Sequence, residues 1–322
     1  MRRVAVIVPV APFEPLALIE RSIESLTSLD TAGLDVRLLY VIDSRDKDDT
    51  RPQALGRYPV SVLSRGDTRG RRAGAVNDAL EACHDADYIA LFDVDSRPQH
   101  NFLVACVNAL ENDRGAFIAS GRRYITNTTR SRIAGIIGAE YTFFAMVYEL
   151  FERLDGFKQF NGLIGVMPAG FGELDEHASC EDFDFTQRMY LRGKTGLLVK
   201  GTRVGEQAPL RLRELYNQRV RWLNGAFQGL SRYHRDFHRA RIPAGRKLAW
   251  FLSGTFPFIA FTAAPLAALF GLALALRGRA SFFAAPGLML HVWLITMCGA
   301  AVLAGNAFRK EISWKDSSRT DD

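Results

Sequence analysis

From Trp250 to Leu276, and again from Phe282 to Phe308, the chain carries no Asp, Glu, Lys or Arg. Each stretch exceeds the ~20 residues that an α-helix needs to cross a bilayer. The residues before Trp250 instead alternate charged and apolar segments, as a soluble enzyme does. The expectation is a soluble domain over 1–225, a basic interfacial segment over 226–249, transmembrane helices over 250–276 and 282–308, and a polar tail over 309–322.

The net charge of +6 is concentrated just before the first span, where Arg232, Arg235, Arg239, Arg241, Arg246 and Lys247 crowd together. Basic segments beside a span are drawn to anionic headgroups. No helix-turn-helix, zinc-finger or RNA-binding signature accompanies them, so the expected partner is a lipid bilayer and not nucleic acid. Arg239, Arg241, Arg246 and Lys247 before the hairpin, with Arg309, Lys310 and Lys315 after it, outweigh Arg277 and Arg279 between the spans. Positive charge marks the cytoplasm, which makes this a multi-pass protein of the cell membrane with its soluble domain cytoplasmic. Cys83, Cys106, Cys180 and Cys298 are scattered with no C-x-x-C pair, as a reducing compartment allows. Arg2 and Arg3 precede an apolar run that Pro9 breaks, which reads as a first strand and not as a signal peptide.

Apolar runs at Arg3–Val10, Asp35–Ile42, Val60–Leu63, Tyr88–Phe92 and Ala116–Ser120 alternate with helical periodicity at Leu16–Leu29, Gly74–Cys83 and Asn101–Leu110. Such alternation predicts an α/β domain, a doubly wound and mainly parallel sheet with helices on both faces. Ile133–Leu154 is a long apolar helix, but Glu140, Glu149 and the flanking arginines favour an interfacial or packing role over a third span.

Four places gather chemistry-bearing residues. Tyr88–Phe92 ends in Asp93 and Asp95, which alternation along an extended chain points to the same side. Paired carboxylates there suit magnesium or manganese, although a lone D-x-D is also an ordinary polar turn. Asp43 ends the second strand, where an acid can meet a base or ribose or simply close a turn. Arg69 to Asn77 combines glycine, arginine and a helix start; it fits a diphosphate or a solvated loop, and lacks the spacing of classical dinucleotide or P-loop motifs. Glu181 and Asp182 open a helix, either as caps or as the source of a general base. Further on, Gln218 and Trp222 lie one turn apart with Arg221 adjoining, suited to stacking on a sugar and holding phosphate, or to an interfacial aromatic.

Taken in order, from Val8-Pro9-Val10 through Trp222, these pieces resemble family-two glycosyltransferases of the GT-A fold, in the cellulose-synthase and hyaluronan-synthase branch with its D, D-x-D, E-D, Q-x-x-R-W series. The resemblance implies roles. Asp43 would contact the nucleotide base, while Arg72, Gly74 and Asn77 would support the nucleotide. Asp93 would face the nucleotide sugar and Asp95 would hold the divalent cation. Asp182 would be the catalytic base; Glu181, Gln218, Arg221 and Trp222 would lie near the acceptor and leaving diphosphate. Three residues depart from the pattern: Ser44 follows Asp43 where a second acid is usual, Cys180 replaces threonine, and Arg72 replaces lysine. The expected enzyme is an inverting, metal-dependent transferase. It would use a nucleotide sugar, a UDP-sugar first among them, and a lipid-linked or polysaccharide acceptor, with oligomerisation possible. A processive β-linked polysaccharide synthase is the alternative, although two spans are too few to enclose a polymer. A catalytically silent nucleotide-sugar-binding subunit is the alternative of another class.

Overall fold

The computed structural model describes residues 1–46, 48–154 and 156–308. In chain order the elements of its first half are β1 (Arg2–Val10), α1 (Leu16–Thr27), β2 (Leu34–Asp43), α2 (Arg51–Leu55), β3 (Ser61–Arg65), α3 (Arg71–Ala82), β4 (Tyr88–Leu91), β5 (Arg97–Pro98), α4 (Phe102–Asn112) and β6 (Ala116–Ile125). There follow α5 (Arg132–Arg153), β7 (Gly165–Pro168), α6 (Glu181–Leu191), β8 (Thr195–Glu206), α7 (Leu212–Arg239), α8 (Ala244–Thr255), α9 (Ala264–Leu276) and α10 (Ala284–Ala307).

The chain divides into two compact units. The first comprises Met1–Arg123 with Gln159–Gly205; the second takes Tyr124–Lys158 and, among the described residues, 206–308. This differs from a division at 225/226, because α7 runs unbroken across that point. The residues beyond 308, including Arg309, Lys310 and Lys315 of the tail, lie outside the described residues.

In the first unit one sheet has the order β3-β2-β1-β4-β7-β6-β8-β5. Its first four strands are parallel, as the alternation of strands and helices requires. Beyond β4 the pairing turns antiparallel, first with β7 and then between β7 and β6. The sheet is therefore mixed. β7 and β8 carry weaker apolar signals than the parallel strands, and neither is expected from the sequence.

Val6, Ile7 and Val8 of β1 and Tyr40, Val41 and Ile42 of β2 are wholly buried, the pattern of strands covered on both faces. Helix α1 contributes Leu18, Ile19, Ile23 and Leu26 to the same core, and α4 contributes Phe102, Leu103, Cys106 and Val107. The polar exception is satisfied internally: the Tyr40 hydroxyl donates to Ser22 Oγ at 2.9 Å.

In the second unit, Ser131 caps α5 by accepting the Ala134 N–H at 3.0 Å. Asn127 clamps Ala208 through both amide atoms, each at 2.9 Å. Three stretches are long and apolar enough to cross a membrane: Arg132–Arg153, Ala244–Leu276 and Ala284–Ala307. The middle one begins earlier than Trp250 and is not one regular helix. A 3-10 segment, Phe256–Ala263, interrupts it beside Pro257, which cannot donate a helical hydrogen bond. Phe251, Leu266, Leu269, Leu276, Leu290 and Met297 on these helices are exposed, an apolar surface of the kind that interaction with lipid would cover.

Helix α9 meets the start of α10 so closely that a Cβ on Gly271 would lie 2.6 Å from the Ala284 carbonyl carbon and 2.7 Å from Ala285 Cα. Backbone cannot yield as a side-chain tip can. Gly271→Val should therefore destabilise the detergent-solubilised protein by about 2 kcal/mol or more. Gly245→Ala, whose new methyl meets nothing within 4 Å, should leave the melting temperature in place. Equal melting temperatures for the two variants would contradict this contact.

Candidate active site

Strand β4 ends at Leu91, and the chain leaves extended geometry before its acids. Asp93 to Ser96 is a turn: the Ser96 N–H donates to the Asp93 carbonyl at 2.9 Å, and the Asp93 N–H donates to Ser96 Oγ at 3.0 Å. The expectation that alternation aligns Asp93 and Asp95 therefore does not hold. The turn gives them different settings, with Asp95 buried and the Asp93 side chain 31% exposed. Arg97 and Pro98 then form β5 against β8.

Arg72, in the first turn of α3, gathers the acids. Its Nε donates to Asp93 Oδ1 at 2.9 Å and its Nη1 to Glu181 Oε1 at 2.9 Å, while Nη2 donates to the Gly162 carbonyl. Burial works against the guanidinium charge, but Asp93 and Glu181 more than offset it and its pKa is raised. Gly162 also donates its N–H to Asp182 Oδ2, and Asp182 Oδ1 accepts the Phe183 N–H at 2.7 Å. Gly162 can offer both backbone groups because its φ of +63° is open to glycine, and an added Cβ would lie 3.3 Å from Asp93 Oδ2.

Among the described residues only Arg71 (φ +51°) and Leu163 (φ +49°) hold positive φ without being glycine. Each immediately adjoins a member of this network, so backbone strain of about 1–3 kcal/mol per residue is concentrated there.

Asp182 has a raised pKa. Burial is the main cause and the neighbouring Glu181 charge the second; the Gly162 N–H and Arg72 oppose them. A carboxylate so placed binds a proton more readily than a solvated one, which suits a general base.

The register of β2 with β3 sets Asp43 beside Arg65. Their side chains meet at 2.5 Å with both almost fully buried. Arg65 continues to Asp78 at 2.6 Å and to the Arg69 carbonyl at 2.7 Å, tying the strand ends to α3. Gly74 lets this happen, since a Cβ there would press on the Arg69 carbonyl and lie 2.9 Å from Arg65 Nη2. Asn77 is committed to Leu174, donating at 3.0 Å and accepting at 2.8 Å, so its amide fixes the loop before α6. His177 in that loop is exposed.

Sequence reading missed Arg65 and also Arg51, whose guanidinium donates to the carbonyls of Ala11, Glu14 and Asp43, each at 3.0 Å. An isolated arginine carries no motif. Only the strand register and the parallel edge reveal these two as anchors. Arg51 holds the Asp49 carboxyl down at about 2.

Gln218, Arg221 and Trp222 lie on α7 in the second unit. There the Arg219 guanidinium lies over the Trp222 ring, 4.5 Å from its centroid. The structure thus brings Arg72, Asp93, Glu181 and Asp182 into one network, sets Asp43 in a separate pair with Arg65, and gives Trp222 a neighbour the motif does not include.

Among the described residues no three His, Cys, Asp or Glu side chains are grouped to hold a metal by themselves. Asp95 and Asp93 are hard oxygen donors, and magnesium or manganese held by one or two carboxylates completes its shell with substrate phosphates. The donor chemistry fits such a cation.

The family model described as glycosyl transferase family group 2 matches residues 88–305. A probable glucomannan 4-beta-mannosyltransferase 7 of Oryza sativa subsp. japonica is 26% identical over 173 residues, covering 52% of this chain and 30% of that protein. A beta-monoglucosyldiacylglycerol synthase of Synechocystis sp. is 27% identical over 229 residues, covering 68% and 47%. The chain spans less than half the length of both relatives. The solved mannosyltransferase PcManGT from Pyrobaculum calidifontis, in complex with GDP-Man and Mn2+, superposes with a TM-score of 0.65 at 19% identity. It covers 97% of this chain and 89% of its own, a likeness of fold that bears out the GT-A expectation.

Asp43 yields a test of this electrostatic picture. Burial pushes its carboxyl up to about 6, despite Arg65, against 3.8 for an unperturbed aspartate. The folded state therefore holds the proton more tightly than the unfolded chain. Its contribution to stability is fully present below pH ~4 and is lost as pH rises through ~6, a difference of up to ~3 kcal/mol. The amide introduced by Asp43→Asn cannot titrate, so thermal melts from pH 4 to 7 should show the variant gaining on the wild type. A gap independent of pH would refute the raised value.

Proposed function

The chain belongs to glycosyl transferase family group 2, and from that membership we propose that it is an inverting glycosyltransferase using a nucleotide-sugar donor at a membrane. The observation that carries this reading is the Arg72 network, in which one guanidinium holds Asp93 and Glu181 while Gly162 links it to Asp182, the acid with the raised pKa.

In the proposed reaction Asp182 accepts the proton of an acceptor hydroxyl as its oxygen attacks the anomeric carbon. The bond from that carbon to the diphosphate oxygen breaks, and its electron pair leaves with the nucleoside diphosphate. Attack from the face opposite the leaving group inverts the centre. Arg72 supplies positive charge near the departing diphosphate, and Asp93 orients the donor sugar. Asp95 would hold a divalent cation, which when bound neutralises charge developing on the leaving group. Asp43 and Arg65 form a buried pair suited to the base or ribose. Gln218, Arg221 and Trp222 would serve the acceptor side.

The donor base and sugar are open between two arms. UDP-sugars follow from the sequence resemblance, while GDP-mannose is the ligand of the solved neighbour and mannose the sugar in the rice relative's name. The Synechocystis relative makes a glycolipid by its name, which supports transfer to a lipid acceptor. A ladder of long products would instead favour the processive synthase, and the intact acid series argues against a silent subunit.

For topology we keep two spans with the first unit cytoplasmic. Helix α5 is long enough to cross, but the strands on either side of it, β6 and β7, are neighbours in one sheet. A single crossing would leave the residues after 153 as irregular backbone in lipid, where its polar groups go unpaired.

Purified protein offered UDP-glucose, UDP-N-acetylglucosamine and GDP-mannose with manganese should turn over at least one of them. Asp182→Asn should lower kcat by about 10²–10⁴-fold, and Asp95→Ala by about a hundredfold or more. Full activity in either variant would overturn its assigned role.

A further inference from the structure

Three charged or titratable side chains from three helices of the second unit meet in its interior. Glu140 of α5 accepts from Arg219 Nη2 of α7 through one carboxylate oxygen. Through the other it faces His291 Nε2 of α10 at 2.9 Å. None of the three side chains is more than 6% exposed. The same Arg219 guanidinium that is held by Glu140 lies over Trp222, with its central carbon 4.5 Å from the ring centroid.

Such a cluster is a poor way to gain stability. Each ion loses several kcal/mol of hydration on burial, and apolar side chains of similar volume are often as stable or more so. A buried ion pair kept at that cost is better accounted for by the arrangement it specifies around it. What this cluster achieves is directional: one oxygen of Glu140 accepts from Arg219 of α7 while the other lies 2.9 Å from His291 Nε2 of α10, so the carboxylate is approached from two helices at once. Among the described residues, neither buried Arg219 Nε nor His291 Nε2 has a hydrogen-bond partner of good geometry. The guanidinium is thus oriented by its ion pair at one end and by the indole across its face. A planar fork can do both at once, whereas a lysine ammonium presents a point charge and no plane.

The structure assigns Glu140, Arg219 and His291 to a positioning relay that fixes the indole of Trp222 through the packing of α5 and α10 against α7. The assignment rests on Trp222 serving the acceptor, and it deepens that reading: acceptor use becomes sensitive to residues that touch no substrate. None of the three belongs to the motif series. Arg219 occupies a position between Gln218 and Arg221 that the motif leaves open.

The test uses the full chain in detergent or nanodiscs. Arg219→Lys retains a cation for Glu140 but not the stacked plane, and Arg219→Met removes both. With Trp250, Trp293 and Trp314 changed to phenylalanine, the emission of Trp222 reports its surroundings directly. Both Arg219 variants should shift that emission and increase its quenching by acrylamide, and Glu140→Gln should do the same. In the tryptophan-containing protein, kcat/KM for the acceptor should fall by roughly tenfold to a hundredfold, with donor hydrolysis in the absence of acceptor kept within about twofold.

A structural role alone would lower donor hydrolysis and transfer together and would follow the melting temperature. Unchanged Trp222 emission in Arg219→Met, or parallel loss of both activities in Arg219→Lys, overturns the relay. The emission measurement needs no substrate, so it fails only with the relay. Failure of the wild type to turn over any nucleotide sugar fails the functional reading instead.

Discussion

Arg72 sits where four negative or polar groups would otherwise repel or go unpaired. Asp93, Glu181 and Asp182 come from two distant parts of the chain, and burying them near one another without a cation would push protons onto them. One guanidinium meets Asp93, Glu181 and the Gly162 carbonyl, and through Gly162 it reaches Asp182. Lysine could not make three divergent contacts from one nitrogen with the same fixed geometry. The departure from the usual lysine at this position is thus a change in how the site is held together, beyond a preserved charge.

The anchoring of α3 follows the same logic one layer down. Arg65 is buried against Asp43 and reaches Asp78 and the Arg69 carbonyl, while Arg51 takes up three carbonyls at the ends of β1 and β2. These arginines satisfy backbone acceptors that a parallel sheet leaves at its carboxyl edge. Their charge in turn limits how far burial can raise the carboxylates beside them. Where arginine dominates, as at Asp49, the carboxyl stays low; where burial dominates, as at Asp43, it rises. Strained backbone at Arg71 and Leu163 flanks the same region. Contacts fix the site while local propensity opposes it.

The second unit solves a different problem. Its helices expose leucine and phenylalanine outward and bury Glu140, Arg219 and His291 inward, the reverse of a soluble bundle. The acids that argued from sequence against a third span are not all solvent-facing, since Glu140 is paired within the unit. Connectivity supports the proposed packing role as well, because β6 before α5 and β7 after it share one sheet.

Much was legible without coordinates. Unbroken apolar runs can only be buried strands or membrane helices, so β1, β2, β4 and the C-terminal helices followed from composition and period. The series Asp43, Asp93, Asp95, Asp182 and Trp222 could be singled out through the family resemblance. The sequence could not decide how the acids are oriented. Asp93 and Asp95 part at a turn set by Ser96, and a period of two says nothing once the strand has ended. Nor could it supply Arg65, Arg51, Gly162, Arg219 or His291. Each matters through a partner distant in the chain, and such pairings exist only after strand register and helix packing have been chosen. Local pattern fixes which residues must be buried or extended; the tertiary fold decides which charges meet, because that depends on distances the linear chain does not contain.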